Sequence, residues 1–207
     1  MWDLNEYKRV FIVIGLIGII LFMAPAIASL VGSLPSEPFS ELYVLGPGAR
    51  VENYPFNISI SSAGASNSSY VYLGIGNHLG YVMYYGVDVK FLIDSDPLPS
   101  GTTESPLPVL YQYRVFLEDG QNWTDNNTLT FSFANVIFSR SRNNCSVGEM
   151  QINGASYELD KVTSWNNINS GFFYQLLVEL WTYNQTINEL SYDGRFISLW
   201  LNMTSTS

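Results

Sequence analysis

The stretch Val10 to Leu34, VFIVIGLIGIILFMAPAIASLVGSL, is apolar and carries no charge. At 1.5 Å per residue about 20 apolar residues cover the roughly 30 Å hydrocarbon core of a bilayer, so this run is predicted to be one transmembrane helix. Lys8 and Arg9 precede it, and no Lys or Arg follows until Arg50. The positive-inside rule then puts the N-terminus in the cytoplasm and everything after Leu34 outside the cell membrane. The alternative is a cleaved secretory signal: Lys8 and Arg9 as its basic start, Val10 to Met23 as its apolar segment, and Ala24, Ala26 and Ala28 as small-residue cleavage positions. Pro25 would break a helix in water, whereas in lipid it marks a kink.

The expected organisation follows. Residues 1–9 are a cytoplasmic tail, 10–34 the transmembrane helix, 35–38 a juxtamembrane hinge with two prolines, and 39–207 one extracytoplasmic domain of a size that can bury its own core. The net charge of −9 lies entirely beyond the helix, because Asp3 and Glu6 balance Lys8 and Arg9. An acidic domain repels phosphate backbones, so nucleic acid is excluded as a partner. Cys145 is the only cysteine. It forms no intramolecular disulfide or Cys-based zinc site, and reads as a small buried hydrophobe.

Beyond the helix the pattern is that of strands. Phe39 to Leu45 ends in Gly46-Pro47-Gly48, a turn in which the glycines permit positive φ and the proline fixes its own. Glu41, Arg50 and Glu52 are placed to pair across that corner. Further strands are predicted at 57–61, 69–77, 82–93, 111–117 and 129–138, each β-branched or aromatic with period two. Asp94 to Pro108, with four prolines, reads as an exposed connection, and Arg140 to Glu149 as polar chain. Met150 to Leu159 reads as a short hairpin around Asn153-Gly154, a tight-turn signal. Val162 to Ser170 is an Asn-rich loop, 172–183 an apolar strand, and 195–203 a last strand after a Tyr192-Asp193-Gly194 turn. About eight short strands with Gly, Pro and Asn turns predict an all-β fold: an immunoglobulin-like β-sandwich ectodomain on a single N-terminal transmembrane helix. The insertion at about 139–170 exceeds what a minimal sandwich needs, which makes it the first candidate for a partner surface.

From Pro38 to Pro55, PFSELYVLGPGARVENYP, the chain resembles an archaeal membrane-protein family catalogued as domain of unknown function 1616. The likeness continues through Ile75 to His78, Tyr84, Val87 to Val89 and Trp123, and returns at Leu176 to Tyr183 and Ile197 to Asn202. The resemblance implies a β-rich exterior domain placed directly after a membrane helix in an archaeal envelope. It brings no established activity. This chain departs from it in having one helix and the insertion near 139–170.

Seven Asn residues open N-x-S/T triplets without proline at x: Asn57, Asn67, Asn122, Asn126, Asn144, Asn184 and Asn202. They are candidate carriers of N-glycans. Other chemistry is sparse. His78 is the sole histidine, so a triad or a multi-His metal site would have to use it. Asp94, Asp96 and Glu104 are oxygen donors without the spacing of a calcium loop, and read as a solvated turn. Trp123, Trp165 and Trp181 can stack on sugars or serve as core. No motif for a metal or cofactor is present, and none is expected. The chain is therefore expected to be no enzyme, but a single-pass envelope glycoprotein whose sandwich makes structural or protein–protein contacts. Its expected partners are membrane lipid, N-glycans and other envelope or membrane-complex proteins. The alternative is an accessory subunit of a membrane enzyme complex, its helix packed on partner helices near Gly15 and Gly18.

Overall fold

In the computed structural model residues 4–32, 37–124 and 128–206 are described. The chain divides into two compact units, 1–38 and 39–207. The first contains helix α1 (Leu4–Gly32) with Pro25 inside it. Side chains of α1 are described at Tyr7, Lys8 and 11–27, and all of these are exposed. Among the described residues no helix is long and apolar enough to cross a membrane. This corrects the predicted membrane anchoring, and with it the location deduced from it: cell membrane, N-terminus cytoplasmic, following domain outside. Residues 1–3 of the tail, 33–34 of the predicted transmembrane helix and 35–36 of the hinge lie outside the described residues.

The second unit holds eleven strands among its described residues: β1 (Phe39–Leu45), β2 (Asn57–Ile60), β3 (Ser69–His78), β4 (Met83–Ile93), β5 (Tyr111–Leu117), β6 (Asn122–Trp123), β7 (Thr128–Ser139), β8 (Asn144–Ile152), β9 (Ala155–Ser164), β10 (Phe172–Asn184) and β11 (Glu189–Ser205). They form two sheets. One has the order β1-β3-β7-β8-β9, with β6 beside β3; the other has the order β2-β11-β10-β4-β5. The strand pairs are antiparallel except β2 with β11. The all-β, two-sheet expectation holds.

Alternation along the strands builds the core. Val87, Val89 and Phe91 of β4, with Tyr174, Leu176, Val178 and Leu180 of β10, face Leu73, Ile75, Phe131, Phe133 and Met150 of the other sheet. Each such side chain is worth about 1.5–3 kcal/mol when removed from water. Phe91 stacks on Tyr174 at 5.2 Å and meets Phe133 across the interface at 5.4 Å. Polar atoms inside this core have partners. The Tyr174 hydroxyl donates to the Cys145 carbonyl at 2.7 Å, and Asn77 Nδ2 donates to the carbonyls of Tyr81 and Leu117 at 2.8 and 2.9 Å. The Tyr85 hydroxyl bridges Ser40 Oγ and Asn77 Oδ1.

The outward residues of β4 and β10 are buried as well. Asp88, Lys90 and Leu92, with Gln175, Leu177 and Glu179, are at most 5% exposed. Whereas Asp88 is covered by Gln112 and Arg114 of β5, the connection after β4, predicted to be an exposed link, contributes to the cover of Lys90 and Glu179. Most of it is exposed, but Pro99 and Ser105 are buried, and Ser105 is fastened to the sheet. Its N–H donates to Glu179 Oε1 at 2.7 Å, and its carbonyl accepts from Lys90 Nζ at 2.5 Å. Lys90 and Glu179 pair at 2.8 Å. Asp96 is held by Lys161 of β9 at 2.7 Å.

Three other local expectations change. Arg140 to Glu149 contains the start of β8, and the predicted short hairpin extends to Asn144–Ile152 and Ala155–Ser164 around Asn153 (φ 50°) and Gly154 (φ 84°). Tyr192 to Gly194 is a bulge within β11, where the pairing with β10 shifts register; the chain reverses instead between Asn184 and Glu189. At the Gly46 corner, Arg50 pairs with Glu52 at 3.4 Å, whereas Glu41 faces His78 at 3.8 Å. Gly46 is required there, because a Cβ would lie 1.9 Å from the Glu52 carbonyl oxygen.

The buried pair makes a sharp stability test. Lys90→Met leaves an unpaired carboxylate in the interior and is expected to lower the unfolding free energy in urea by about 3–5 kcal/mol. Combining it with Glu179→Leu is expected to recover part of that loss, leaving the cost of the orphaned Ser105 amide, about 1–3 kcal/mol.

Candidate functional site

The insertion predicted as a partner surface resolves into the β8–β9 hairpin and two loops at one end of the sandwich. The β7–β8 turn and the β9–β10 loop meet there with the last residues of β11 around a cleft of about 490 Å³. Phe138, Trp165 and Phe172 form its apolar wall, with Arg140, Asn143 and Asn202 among the polar groups that line it. A mostly apolar concavity of this size with a few polar groups has the dimensions of a binding site.

Local chemistry fixes the loops. Asn143 takes a left-handed φ of 50°, which asparagine tolerates, and its carbonyl accepts from the Trp165 N–H at 3.0 Å, joining one loop to the other. Asn166 Oδ1 accepts from the N–H groups of Ile168 and Asn169, both at 3.0 Å, so one side chain organises the turn. Asn166 and Gly171 close it through paired backbone hydrogen bonds. A side chain at Gly171 would collide with Asn202 Oδ1 at 2.4 Å. The rings interlock: Trp165 meets Phe172 edge-on at 5.1 Å, and Phe138 meets Phe172 at 5.6 Å. Ile168 is left at the tip with 92% of its surface exposed.

Two further depressions border the same loop. One, of about 370 Å³, lies between Ile93–Ser95 and Val162–Asn166 and reaches Phe173; the other, of about 410 Å³, is walled by Phe56, Asn169, Phe173 and Trp200. Trp165 borders the first two clefts and Phe173 the last two. A fourth depression, lined by Tyr81, Met83 and residues 182–185, lies near the β10–β11 turn, away from this loop.

The other predicted positions are dispersed. Among the acceptor asparagines, Asn57, Asn67 and Asn122 are exposed, Asn144, Asn184 and Asn202 are half-buried, and Asn126 lies outside the described residues. Register brings Asn57 and Asn202 side by side, with Asn202 Nδ2 donating to Asn57 Oδ1 at 3.2 Å while its Oδ1 accepts from the Phe172 N–H at 3.1 Å. His78 ends β3 with its ring stacked on Phe39 at 4.7 Å. Asp96 is committed to Lys161 and to the Ile93 N–H, and among the described residues no cluster could hold a metal ion. Trp123 packs edge-on against Tyr113, and Trp181 against Tyr192. Cys145 is buried, and burial pushes its thiol up to about 11. The sequence singled out Trp165 but not Phe138, Phe172 or Arg140, whose convergence depends on the sheet order.

No protein family matches the chain, and no curated protein matches it. Among solved structures, a β-glucosidase from Listeria innocua in complex with isofagomine is similar over 82% of this chain, with 9% identity and a TM-score of 0.39. The chain spans 16% of that enzyme's length. β-Glucuronidase 2 from Bacteroides uniformis is similar over 78% of this chain and 13% of its own, at 7% identity and a TM-score of 0.37. The CooA pilin subunit from enterotoxigenic Escherichia coli is similar over 79% of this chain and 98% of its own, at 10% identity and a TM-score of 0.27. Scores this low assign neither fold nor function.

The raised thiol sets a sign for pH dependence. The unfolded chain ionises Cys145 at its ordinary, lower value, so the stability that its burial protects is full below that range and is lost as pH rises toward about 11. Ellman's reagent at pH 8 is expected to react with Cys145 only at the rate of global unfolding.

Proposed function

We propose that this chain is a non-enzymatic β-sandwich of immunoglobulin-like type whose loop-rich end, centred on residues 165–171, binds another protein. The observation that carries the reading is the placement of three clefts around one loop that exposes Ile168 and anchors Trp165, Phe172 and Phe173. Aromatic anchors set in pockets and ringed by polar groups are the chemistry of interface hot spots. The ionisable side chains lining these clefts are Arg140 in one and Asp94 in another, which supports binding over acid–base catalysis. The immunoglobulin-like assignment draws on the order β2-β11-β10-β4-β5 with β2 parallel to β11, and on β1, β3 and β7 lying consecutively in the facing sheet. The resemblance of Pro38 to Pro55 to the family catalogued as domain of unknown function 1616 belongs to the same reading, which brings no enzymatic activity with it.

N-glycans are part of the proposal. Glycopeptide mass spectrometry of the native protein is expected to find Asn57, Asn67 and Asn122 occupied, and Asn202 bare because both ends of its amide are engaged beside the cleft. The contact surface is tested by placing a photo-crosslinking residue at Ile168 and, as a control, at Ile187, which is 55% exposed in the β10–β11 turn. Adducts of defined mass are expected from position 168 and not from 187. Equal labelling, or none at 168, removes the reading.

A further inference from the structure

The cations of the sandwich are unevenly committed. Arg50, Lys90, Arg114, Lys161 and Arg195 each have a carboxylate partner in the same chain. Arg140 and Arg142 have none among the described residues, and both are exposed. They share one turn, Ser139 to Asn144, at the mouth of the Trp165 cleft, and Arg140 lines it. In a chain of net charge −9 this turn is where, among the described residues of the sandwich, positive charge stands without a carboxylate partner. A fixed cation beside an apolar cleft selects for a ligand that carries negative charge next to an apolar group.

We infer that the cleft of Phe138, Trp165 and Phe172 takes an acidic segment of its protein partner, an aromatic or large aliphatic side chain seated against the three rings and a neighbouring Asp or Glu held by Arg140 and Arg142. The inference rests on the binding reading above and names the chemistry of the partner. Peptide fits better than an acidic sugar. Trp165 turns its ring edge-on to Phe172, and the wall is completed by Phe138, with the aliphatic Ile168 exposed on the adjoining loop tip, so an apolar side chain finds contact on several sides. A sugar requires a flat open ring and a dense set of hydrogen-bonding groups. The guanidinium groups, always charged, pair with carboxylates through two parallel N–H donors, and a partner charge placed there steers the approach to an otherwise repulsive surface.

Titration calorimetry on the full chain tests this with two blocked pentapeptides, Gly-Asp-Phe-Asp-Gly and its uncharged analogue Gly-Asn-Phe-Asn-Gly. The acidic peptide is expected to bind about tenfold or more tightly than the analogue, with affinity that falls as salt is raised. Arg140→Glu with Arg142→Glu, two exposed positions whose change leaves the core intact, is expected to abolish the preference. Trp165→Ala is expected to weaken both peptides. If both bind equally and both need Trp165, the charge inference is wrong while the protein-contact reading stands. If neither binds, or Trp165→Ala changes nothing, both are overturned. Tighter binding of an oligogalacturonide than of the acidic peptide overturns the inference in favour of an anionic saccharide.

Discussion

The ion pair of Lys90 with Glu179, closed over by Ser105, accompanies the burial of β4 and β10, in the sheet β2-β11-β10-β4-β5, on both faces. β4 and β10 carry apolar residues inward in the usual alternation, and the pair stands among their outward residues. Two opposite charges 2.8 Å apart in a low-dielectric setting need further hydrogen bonds to offset their desolvation. The Ser105 amide and carbonyl fill one position on each partner, and in exchange the buried Ser105 of the connection after β4, residues 94–110 and here called the strap, has its own backbone groups satisfied. Leu92 and Leu177, on the same outward face, are fully buried and stand apart from the main core cluster. The bulge at Gly194 belongs to the same arrangement, for a side chain there would strike the Gly101 carbonyl of the strap at 2.4 Å.

That rigid middle gives the two ends of the sandwich different characters. At the β10–β11 end the chain turns back between Asn184 and Glu189. At the opposite end of β10 the β9–β10 loop is long enough to carry Trp165 and Ile168, and it is tied to the β7–β8 turn by a single backbone hydrogen bond from Trp165 to Asn143. Loops of this kind are held by the scaffold without being part of its core, which is the setting in which binding residues are commonly displayed. The arginines without carboxylate partners stand on the more exposed of the two loops, at no cost to the interior.

Much of the fold was legible because strand alternation is local. The edges of β1, β5 and β10 follow from β-branched and aromatic runs bounded by Gly, Pro and Asn, and Asn153-Gly154 announces its hairpin. The strap was not legible. A stretch with four prolines reads as solvent-exposed whether or not the amide and carbonyl of its Ser105 are pinned to a buried charge pair, one member of which lies 74 residues away. The bulge in β11 was read as a turn for a related reason: Asp-Gly permits a positive φ in either setting, and only the continuing pairing with β10 on both sides tells them apart. Of the candidate site, Trp165 and the insertion were visible, whereas Phe138, Phe172 and Arg140 are brought together by β7, β10 and the turn between β7 and β8.

What the sequence determined alone is the composition of each layer: an apolar N-terminal helix, period-two strands, an acidic surface and a cysteine without a partner. Those properties depend on neighbours within a few residues, where backbone geometry and hydrophobic alternation act directly. The tertiary structure decided which strands lie side by side, which charges cancel and which remain free. Among the described residues of the sandwich five cations find carboxylates and two do not, and nothing in the spacing of acids and bases along the chain separates them. Pairing depends on distance in space, at a scale of 3–4 Å, and that distance is set by sheet order.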